Sequence, residues 1–217
     1  MVIPAQRIRM ASPRLLATLG MMVLAVLAWS GIAPYEHGTW MLEVAPVLIA
    51  APILLLTRKK FPLTTLLYLL IALHSLVLIY GGAYTYARVP LGFWMQDTLH
   101  LGRNPYDKIG HFMQGLVPAM LAREILLRCR YLSHPRMAAF LSVCVAMAIS
   151  AMYELIEWWV ALAAGGDATD FLGTQGDPWD TQSDMFFALI GAAVGVTLLL
   201  RWHNREMAGM RVRPLLN

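Results

Sequence analysis

The chain alternates between long apolar stretches and short polar connections. Six stretches are rich in Leu, Ala, Val, Met and Ile, and they cover positions 15–33, 40–56, 63–80, 109–127, 137–163 and 185–200. A bilayer core about 30 Å thick requires roughly 20 apolar helical residues to cross it. The stretches are continuous, without the two-residue alternation typical of a barrel strand. The pattern therefore predicts an all-α fold, a polytopic membrane helix bundle of about six transmembrane helices.

The composition agrees with this prediction. Hydrophobic residues make up 59% of the 217 positions and charged residues only 14%, whereas a soluble domain has about 45–50% apolar and about 25% charged residues. The composition excludes a soluble globular domain, a disordered chain and a coiled coil. The two cysteines, Cys129 and Cys144, form no CxxC pair and indicate no disulfide framework.

The basic residues predict the orientation of the bundle. If six helices alternate in direction, 14 of the 17 Lys and Arg residues fall on one side. The positive-inside rule then places both termini in the cytoplasm. This predicts a cytoplasmic segment at 1–14, a transmembrane domain at 15–200 and a cytoplasmic tail at 201–217. Topology and contact with anionic lipids account for the basic clusters, so they indicate membrane lipids and no nucleic acid as partners. The 14 residues are Arg7, Arg9, Arg14, Arg58, Lys59, Lys60, Arg123, Arg128, Arg130, Arg136, Arg201, Arg205, Arg211 and Arg213.

Acidic residues are concentrated toward the opposite, periplasmic side. Glu154 and Glu157 lie in the fifth segment, roughly 9–14 Å below its outer end at a rise of about 1.5 Å per residue. They are i, i+3 neighbours, and two such carboxylates repel unless a proton, a basic partner or a cation lies between them. Glu124 and Glu206 are assigned to the cytoplasmic side, and His203 to a loop or interface. Ionisable groups inside a bilayer usually face a cavity or one another, so the pair predicts a polar pocket.

Two helix entrances have similar sequences. Positions 104–107 read Asn-Pro-Tyr-Asp and positions 177–180 read Asp-Pro-Trp-Asp. Each predicts Asn or Asp at the N-cap, Pro at the first helical position and Asp in the first turn, which is ordinary helix-start chemistry. Each entrance also adds an i+4 partner, because His111 follows Asp107 and Asp184 follows Asp180.

Three helices would thus direct six ligand-type side chains toward one pocket. Carboxylate oxygens and imidazole suit Mn, Mg, Fe or Zn, so a divalent metal ion of unknown identity is one hypothesis. A metal-free, water-filled network that shares protons and holds the helices together is the alternative, with His74 and Lys108 as basic partners. The predicted catalytic residues are Glu154, Glu157 and His111, and the predicted metal ligands are Asp107, His111, Glu154, Glu157, Asp180 and Asp184.

Four pieces of this text resemble a YjdF-type family of bacterial inner-membrane proteins. They are TYA at 85–87 with VPLG at 89–92, RNPYDKIGHF at 103–112 with QG at 114–115, YELIEWW at 153–159, and the stretch 171–185. The resemblance implies a multi-pass protein of the bacterial inner membrane and implies no settled activity. The piece DKIGHF at 107–112 also resembles the Asp-Lys-x-x-His-Phe signature of VanZ-like membrane proteins.

Three functions are compatible with these features. The first is a hydrolase or transferase that acts on a lipid-linked or envelope substrate at the periplasmic pocket. The second is a transporter for a cation or a proton-coupled solute, which the lack of polar stations in the inner half of the helices disfavours. The third is a structural or accessory membrane protein without catalysis. A Ser or Cys nucleophile motif, a phosphate loop and a dinucleotide fingerprint are all absent from the sequence.

Overall fold

The computed structural model describes residues 11–163 and 175–210, and within these ranges it contains helices and no strand. Asp167, Asp170, the family-like stretch at 171–174 and the ends of the predicted cytoplasmic segments lie outside the described residues. The helices in chain order are α1 Pro13–Ile32, α2 His37–Thr57, α3 Thr65–Ala83, α4 Pro90–Leu99, α5 Tyr106–Arg128, α6 Pro135–Ala163, α7 Asp180–Thr197 and α8 Leu200–Ala208.

The predicted all-α membrane bundle is confirmed. Each of the six predicted stretches coincides with a long helix, namely α1, α2, α3, α5, α6 and α7. Four of them, α1, α2, α3 and α6, are long and apolar enough to cross a membrane on their own, and α7 with α8 forms a fifth candidate bent by 52°. Helix α5 has 23 residues but is the most polar of the six. It is surrounded by α3, α6 and α7, so protein covers its polar side chains.

Polar side chains close the first turns of several helices. Ser12 Oγ accepts a hydrogen bond from the Leu15 amide at 3.1 Å, and Thr64 Oγ1 accepts one from the Leu67 amide at 3.4 Å. Glu36 caps α2 by accepting from the Thr39 and Gly38 amides, and these bonds hold the pKa of its carboxyl below the ordinary value. Such caps satisfy amides that have no partner within the helix.

Glycines allow α5 and α7 to pack very closely. A Cβ atom at Gly115 would lie 1.8 Å from the Ala188 carbonyl oxygen, and one at Gly191 would lie 1.9 Å from the Phe112 carbonyl oxygen. Small residues at helix contacts permit this kind of backbone approach in membranes. The close contact places the first turns of the two helices side by side, which is where the predicted ligands lie.

An apolar layer separates the two ends of α5. Leu67, Met113, Leu116, Val117 and Met120 belong to one buried cluster in the middle of the bundle. Polar residues of α5 are buried on either side of this layer, near Asp107 at one end and near Glu124 at the other. The bundle therefore contains two distinct polar regions.

Candidate functional site at the first turns of α5 and α7

The two similar helix entrances fold alike, although the predicted register was wrong. Asn104 Oδ1 accepts from the Tyr106 amide at 3.0 Å, and Asp177 Oδ1 accepts from the Trp179 amide at 2.9 Å. The helices begin later than predicted, at Tyr106 and Asp180, because the Asn and Asp side chains close a turn before the first helical residue. As a result Asp107 and Asp180 are the second and first residues of their helices.

Salt bridges join the two first turns. Lys108 Nζ donates to Asp180 Oδ1 at 2.8 Å and to Asp184 Oδ1 at 2.6 Å. Arg103, just before α5, donates to Asp180 and lies 3.5 Å from Asp177 Oδ2. Partial burial alone would lower the pKa of Arg103, but the hydrogen bond and charge attraction of Asp180 outweigh burial and raise it. Asp180 is therefore held by two cations.

Asp107, His111 and Asp184 converge on one point. Each of them offers a ligand atom, and these atoms all lie within 4.8 Å of one another. His111 Nε2 lies 3.3 Å from Asp107 Oδ1 and 3.6 Å from Asp184 Oδ1. His111 Nδ1 lies 3.1 Å from Gln114 Oε1. Because an amide oxygen only accepts hydrogen bonds, this contact places a proton on Nδ1 and turns Nε2 toward the two carboxylates.

Helix α6 brings Glu154 and Glu157 to the same region. Glu154 is buried, and its Oε1 lies 3.8 Å from His111 Nδ1. Glu157 is partly exposed and lines a cavity beside Asp107 and His111. The six residues predicted as ligands are thus near one another, but only three form the tight group. Asp180 is engaged by Lys108 and Arg103, and the two glutamates lie farther from the group centre.

A cavity of about 170 Å³ extends from this site into the bundle. Glu43, His74, Tyr86 and Tyr153 line it together with Asp107, His111 and Glu157. Tyr153 donates a hydrogen bond to Glu43 Oε2 at 3.0 Å. Burial raises the pKa of Tyr86, which lies in the connection between α3 and α4, well above its ordinary value, so its hydroxyl stays protonated near neutral pH. Of this lining, Glu43, His74 and Tyr86 have sequence signals, Glu43 as an acid inside a predicted helix, but none of the three is among the predicted site residues.

Glu43 and Tyr153 are functional candidates that are not among the predicted site residues. Glu43 lies inside the second predicted apolar stretch, and the structure buries it in α2. Tyr153 directly precedes Glu154 in the stretch YELIEWW that resembles the YjdF-type family, and this resemblance was the sequence signal that pointed to it. Gly81 and Gly110 make room for the Tyr86 ring, because a Cβ atom on either would lie under 3.0 Å from it. The glycines therefore shape the cavity wall.

Several buried polar atoms of the site lack partners among the described residues. Asp107 Oδ2, Glu154 Oε1 and His74 Nε2 have no hydrogen-bond partner there. Leaving a buried polar atom unsatisfied costs about 1–3 kcal/mol, and more for a charged group. Such atoms are expected where a ligand, an ion or a water binds.

A second polar cluster lies at the other end of α5, and the sequence did not predict its burial. Glu124, assigned to the cytoplasmic side, is completely buried, as is His203, which was assigned to a loop or interface. Glu124 accepts hydrogen bonds from Thr64 Oγ1 at 2.7 Å and from Arg128 Nη1 at 2.5 Å, and its Oε2 lies 2.9 Å from His203 Nε2. The side chain thus joins α5 to the start of α3 and to α8. We call these residues the Glu124 cluster.

The chain is similar to known membrane proteins over nearly its whole length. The family model described as "Predicted membrane protein (DUF2238)" matches residues 15–205. Inner membrane protein YjdF of Escherichia coli (strain K12) is 56% identical over 199 residues, which are 92% of this chain and 95% of that protein. No solved structure matches the chain.

Proposed function

We propose that this chain, which belongs to the DUF2238 family of predicted membrane proteins, is a divalent-metal-dependent hydrolase or transferase. The family and the apolar helices make it a multi-pass protein of the bacterial inner membrane. Both termini lie in the cytoplasm in this proposal, so the site at the first turns of α5 and α7 is in the periplasmic half of the bilayer. A lipid-linked or envelope substrate would reach it there.

The observation that carries the proposal is the convergence of Asp107, His111 and Asp184. Two donors that each lie about 2.1 Å from a tetrahedral metal ion are separated by about 3.4 Å. The distances from His111 Nε2 to the two carboxylate oxygens, 3.3 and 3.6 Å, are close to that spacing. Gln114 orients the imidazole from the other side, as outer-shell partners of metal-binding histidines commonly do.

The charge of the site supports a bound cation. Six carboxylates meet only two permanently charged bases, Lys108 and Arg103, in the described part of the site. Two of these carboxylates face His111 Nε2, and they repel one another unless a proton or a metal ion lies among these atoms. A divalent ion would relieve this repulsion and would also give Asp107 Oδ2 a partner. The carboxylates are Glu43, Asp107, Glu154, Glu157, Asp180 and Asp184.

The proposed chemistry divides the residues into two groups. Asp107, His111 and Asp184 would hold the metal ion, which would polarise the substrate and lower the pKa of a bound water. Glu154, which is buried, and Glu157, which is partly exposed, lie beside this point on α6, where a carboxylate can serve as a general base. Lys108 positions Asp184 and, with Arg103, neutralises Asp180.

The layer of apolar side chains favours an enzyme over a transporter. A transport path needs polar stations through the membrane, but Leu67, Leu116 and Met120 are buried between the two polar clusters. The described cavity ends at Pro118 and Ile149 and does not include a residue of the Glu124 cluster. A pocket that does not extend to the Glu124 cluster fits a reaction site better than a transport path.

Metal analysis of the purified full chain tests the metal site. After incubation with Mn²⁺, Mg²⁺ or Zn²⁺ and removal of free ions, elemental mass spectrometry should find about one ion per chain for at least one metal. Asp107→Asn and Asp184→Asn should lose it, while Asp97→Asn, a change at an exposed aspartate of α4, should keep it. Metal-free wild type, or metal that survives both variants, would refute the site.

A second experiment separates catalysis from a structural metal. Extracted inner-membrane lipids are incubated with the metal-loaded protein and analysed by liquid chromatography with mass spectrometry. The wild type should convert at least one lipid class, and Glu154→Gln should bind metal normally but convert it much more slowly. A metal-bound wild type that alters no lipid class of the extract, or a Glu154→Gln variant with full activity, would contradict the enzyme proposal.

A further inference from the structure

A long apolar groove lies between α1, α2 and α3, far from the acidic pocket. It has a volume of about 460 Å³ and is lined by residues such as Gly20, Leu24, Ala51, Leu55 and Ile71. Helices α1 and α2 touch near their shared turn, where Trp40 Nε1 donates to Ser30 Oγ at 3.0 Å. Both helices pack on α3, so the groove is a wedge whose floor is α3 and whose walls are the other two helices.

The groove contains one charged side chain, and that charge lies at its end. Among the described residues that line the groove, Arg58 is the one basic residue, and it directly follows the last residue of α2. Lys59 and Lys60 come next and are exposed. Pro13, the first residue of α1, lines the same end. The groove is therefore apolar along its length and basic at the mouth.

The length of the groove corresponds to one leaflet of a bilayer. Its lining extends on α1 from Pro13 to Leu27 and on α2 from Val47 to Arg58, or about 21 Å and about 16 Å at a rise of 1.5 Å per residue. Half of a hydrocarbon core about 30 Å thick is about 15 Å. An acyl chain that begins at the level of Arg58 would therefore end near the bilayer midplane.

We infer that this groove binds an anionic glycerophospholipid from the leaflet on the Arg58 side. The acyl chain lies along α1 and α2 on the α3 floor, and the phosphate interacts with Arg58. Anionic lipids are attracted to basic residues at this depth, and the apolar wedge provides shape complementarity that the flat outer face of a helix lacks. This site is independent of the proposed metal site and of its chemistry.

Native mass spectrometry of the full chain tests the inference. The protein is delipidated in mild detergent and titrated with dioleoyl-phosphatidylglycerol or with dioleoyl-phosphatidylcholine, which has the same acyl chains but no net charge. One phosphatidylglycerol should bind with about fivefold preference, the factor that one basic residue near an anionic headgroup contributes. Arg58→Ala should abolish the preference, whereas Arg136→Ala, a change at an exposed arginine on α6, should retain it.

A second variant tests the groove itself. A side chain added at Gly20 meets open space, with no atom within 4 Å of its Cβ, so Gly20→Leu should fill the groove without disturbing the fold. It should weaken binding of both lipids at least fivefold, while Ala148→Leu on the exposed face of α6 should not. Thermal unfolding similar to wild type checks that each variant is folded. Equal binding of the two lipids by wild type, unchanged binding by Gly20→Leu, or a dimer that fills the groove would overturn the inference.

Discussion

Helix α5 carries a buried polar cluster at each end, and the two clusters balance their charge differently. In the Glu124 cluster, both oxygens of the carboxylate have hydrogen-bond partners on α3, α5 and α8. In the acidic cluster around Asp107, two carboxylate oxygens have none among the described residues. The unpartnered atoms there are the Nε atoms of Arg128 and of the neighbouring Arg123, whose Nη1 lies 3.0 Å from His203 Nδ1, and the Arg128 guanidinium stacks 4.1 Å from the Phe61 ring centre.

This difference separates a structural contact from a candidate binding site. A buried carboxylate with a full set of donors is already stabilised and gains little from a ligand. A group of carboxylates that exceeds its bases repels itself and gains from a cation or from protons. The Glu124 cluster therefore fastens helices together, while the Asp107 cluster is available for chemistry.

The largest effect is expected from Glu124→Ala. The change leaves the buried bases Arg128 and His203 without their carboxylate, and removing one partner of a buried pair costs about 3–5 kcal/mol of stability. Equilibrium unfolding in detergent measures the loss. Glu206→Ala is the control, because this partly exposed glutamate also accepts a backbone hydrogen bond from α3, from the Leu66 amide at 3.0 Å. Equal losses of stability in the two variants would show that the Glu124 cluster does not stabilise the bundle more than a partly exposed contact does.

The next effect is the stabilisation of the Asp107 cluster by metal. A ligand that binds only the folded state at 100 times its Kd adds about 2.7 kcal/mol to stability. Wild type should gain this increment with the metal that it retains, and Glu124→Ala should gain it too, because its change lies across the apolar layer. Asp184→Asn should gain nothing. An increment that persists in Asp184→Asn would place the metal elsewhere.

A smaller effect is expected from Gly115→Ala, which tests the packing that brings α7 to α5. The added methyl would overlap the Ala188 carbonyl, and overpacking of this kind costs about 1–3 kcal/mol. The added methyl would push α7 away from α5. Because Lys108 lies on α5 and Asp184 on α7, metal stoichiometry should fall as well. Gly20→Ala, which meets open space on α1, should change neither quantity. Normal metal binding in Gly115→Ala would mean that the cluster tolerates a shift of α7.

The helices were predictable because the bilayer imposes length and apolarity on every span. Helices α4 and α8 were not predicted, since one has ten residues and the other nine, and each is too short to cross the membrane on its own. Helix periodicity also anticipated that Asp107 and His111 would share a face. It could not give the distance between helices, which depends on Gly115 and Gly191. The role of Lys108 as a bridge to Asp180 and Asp184 followed only from the structure.

The Glu124 cluster was missed for a different reason. Its residues lie at helix ends on the basic side, where the positive-inside rule accounts for charge without any need for burial. His203 is 79 positions from Glu124 and belongs to the short helix α8, which is bent by 52° from α7 and packs on α3. Pairings of such separation depend on the tertiary fold, and neither composition nor spacing along the chain indicates them.

The smallest predicted effect concerns Tyr153 and Glu43. These residues line the cavity, and Tyr153 of α6 donates a hydrogen bond to the Glu43 carboxylate of α2. Tyr153→Phe should lower stability by about 1 kcal/mol, the typical net contribution of a hydrogen bond. The loss should be smaller in a Glu43→Leu background, where the hydroxyl has no acceptor on this side chain, and Tyr131→Phe, at an exposed tyrosine, should cost less than Tyr153→Phe in the wild type. Neither residue belongs to the Asp107 group, so metal stoichiometry should stay unchanged. Strict additivity of the two changes would show that this hydrogen bond contributes nothing to stability. The Tyr153–Glu43 pair would then differ from the hydrogen-bonded pairs around Glu124, which are expected to stabilise the fold.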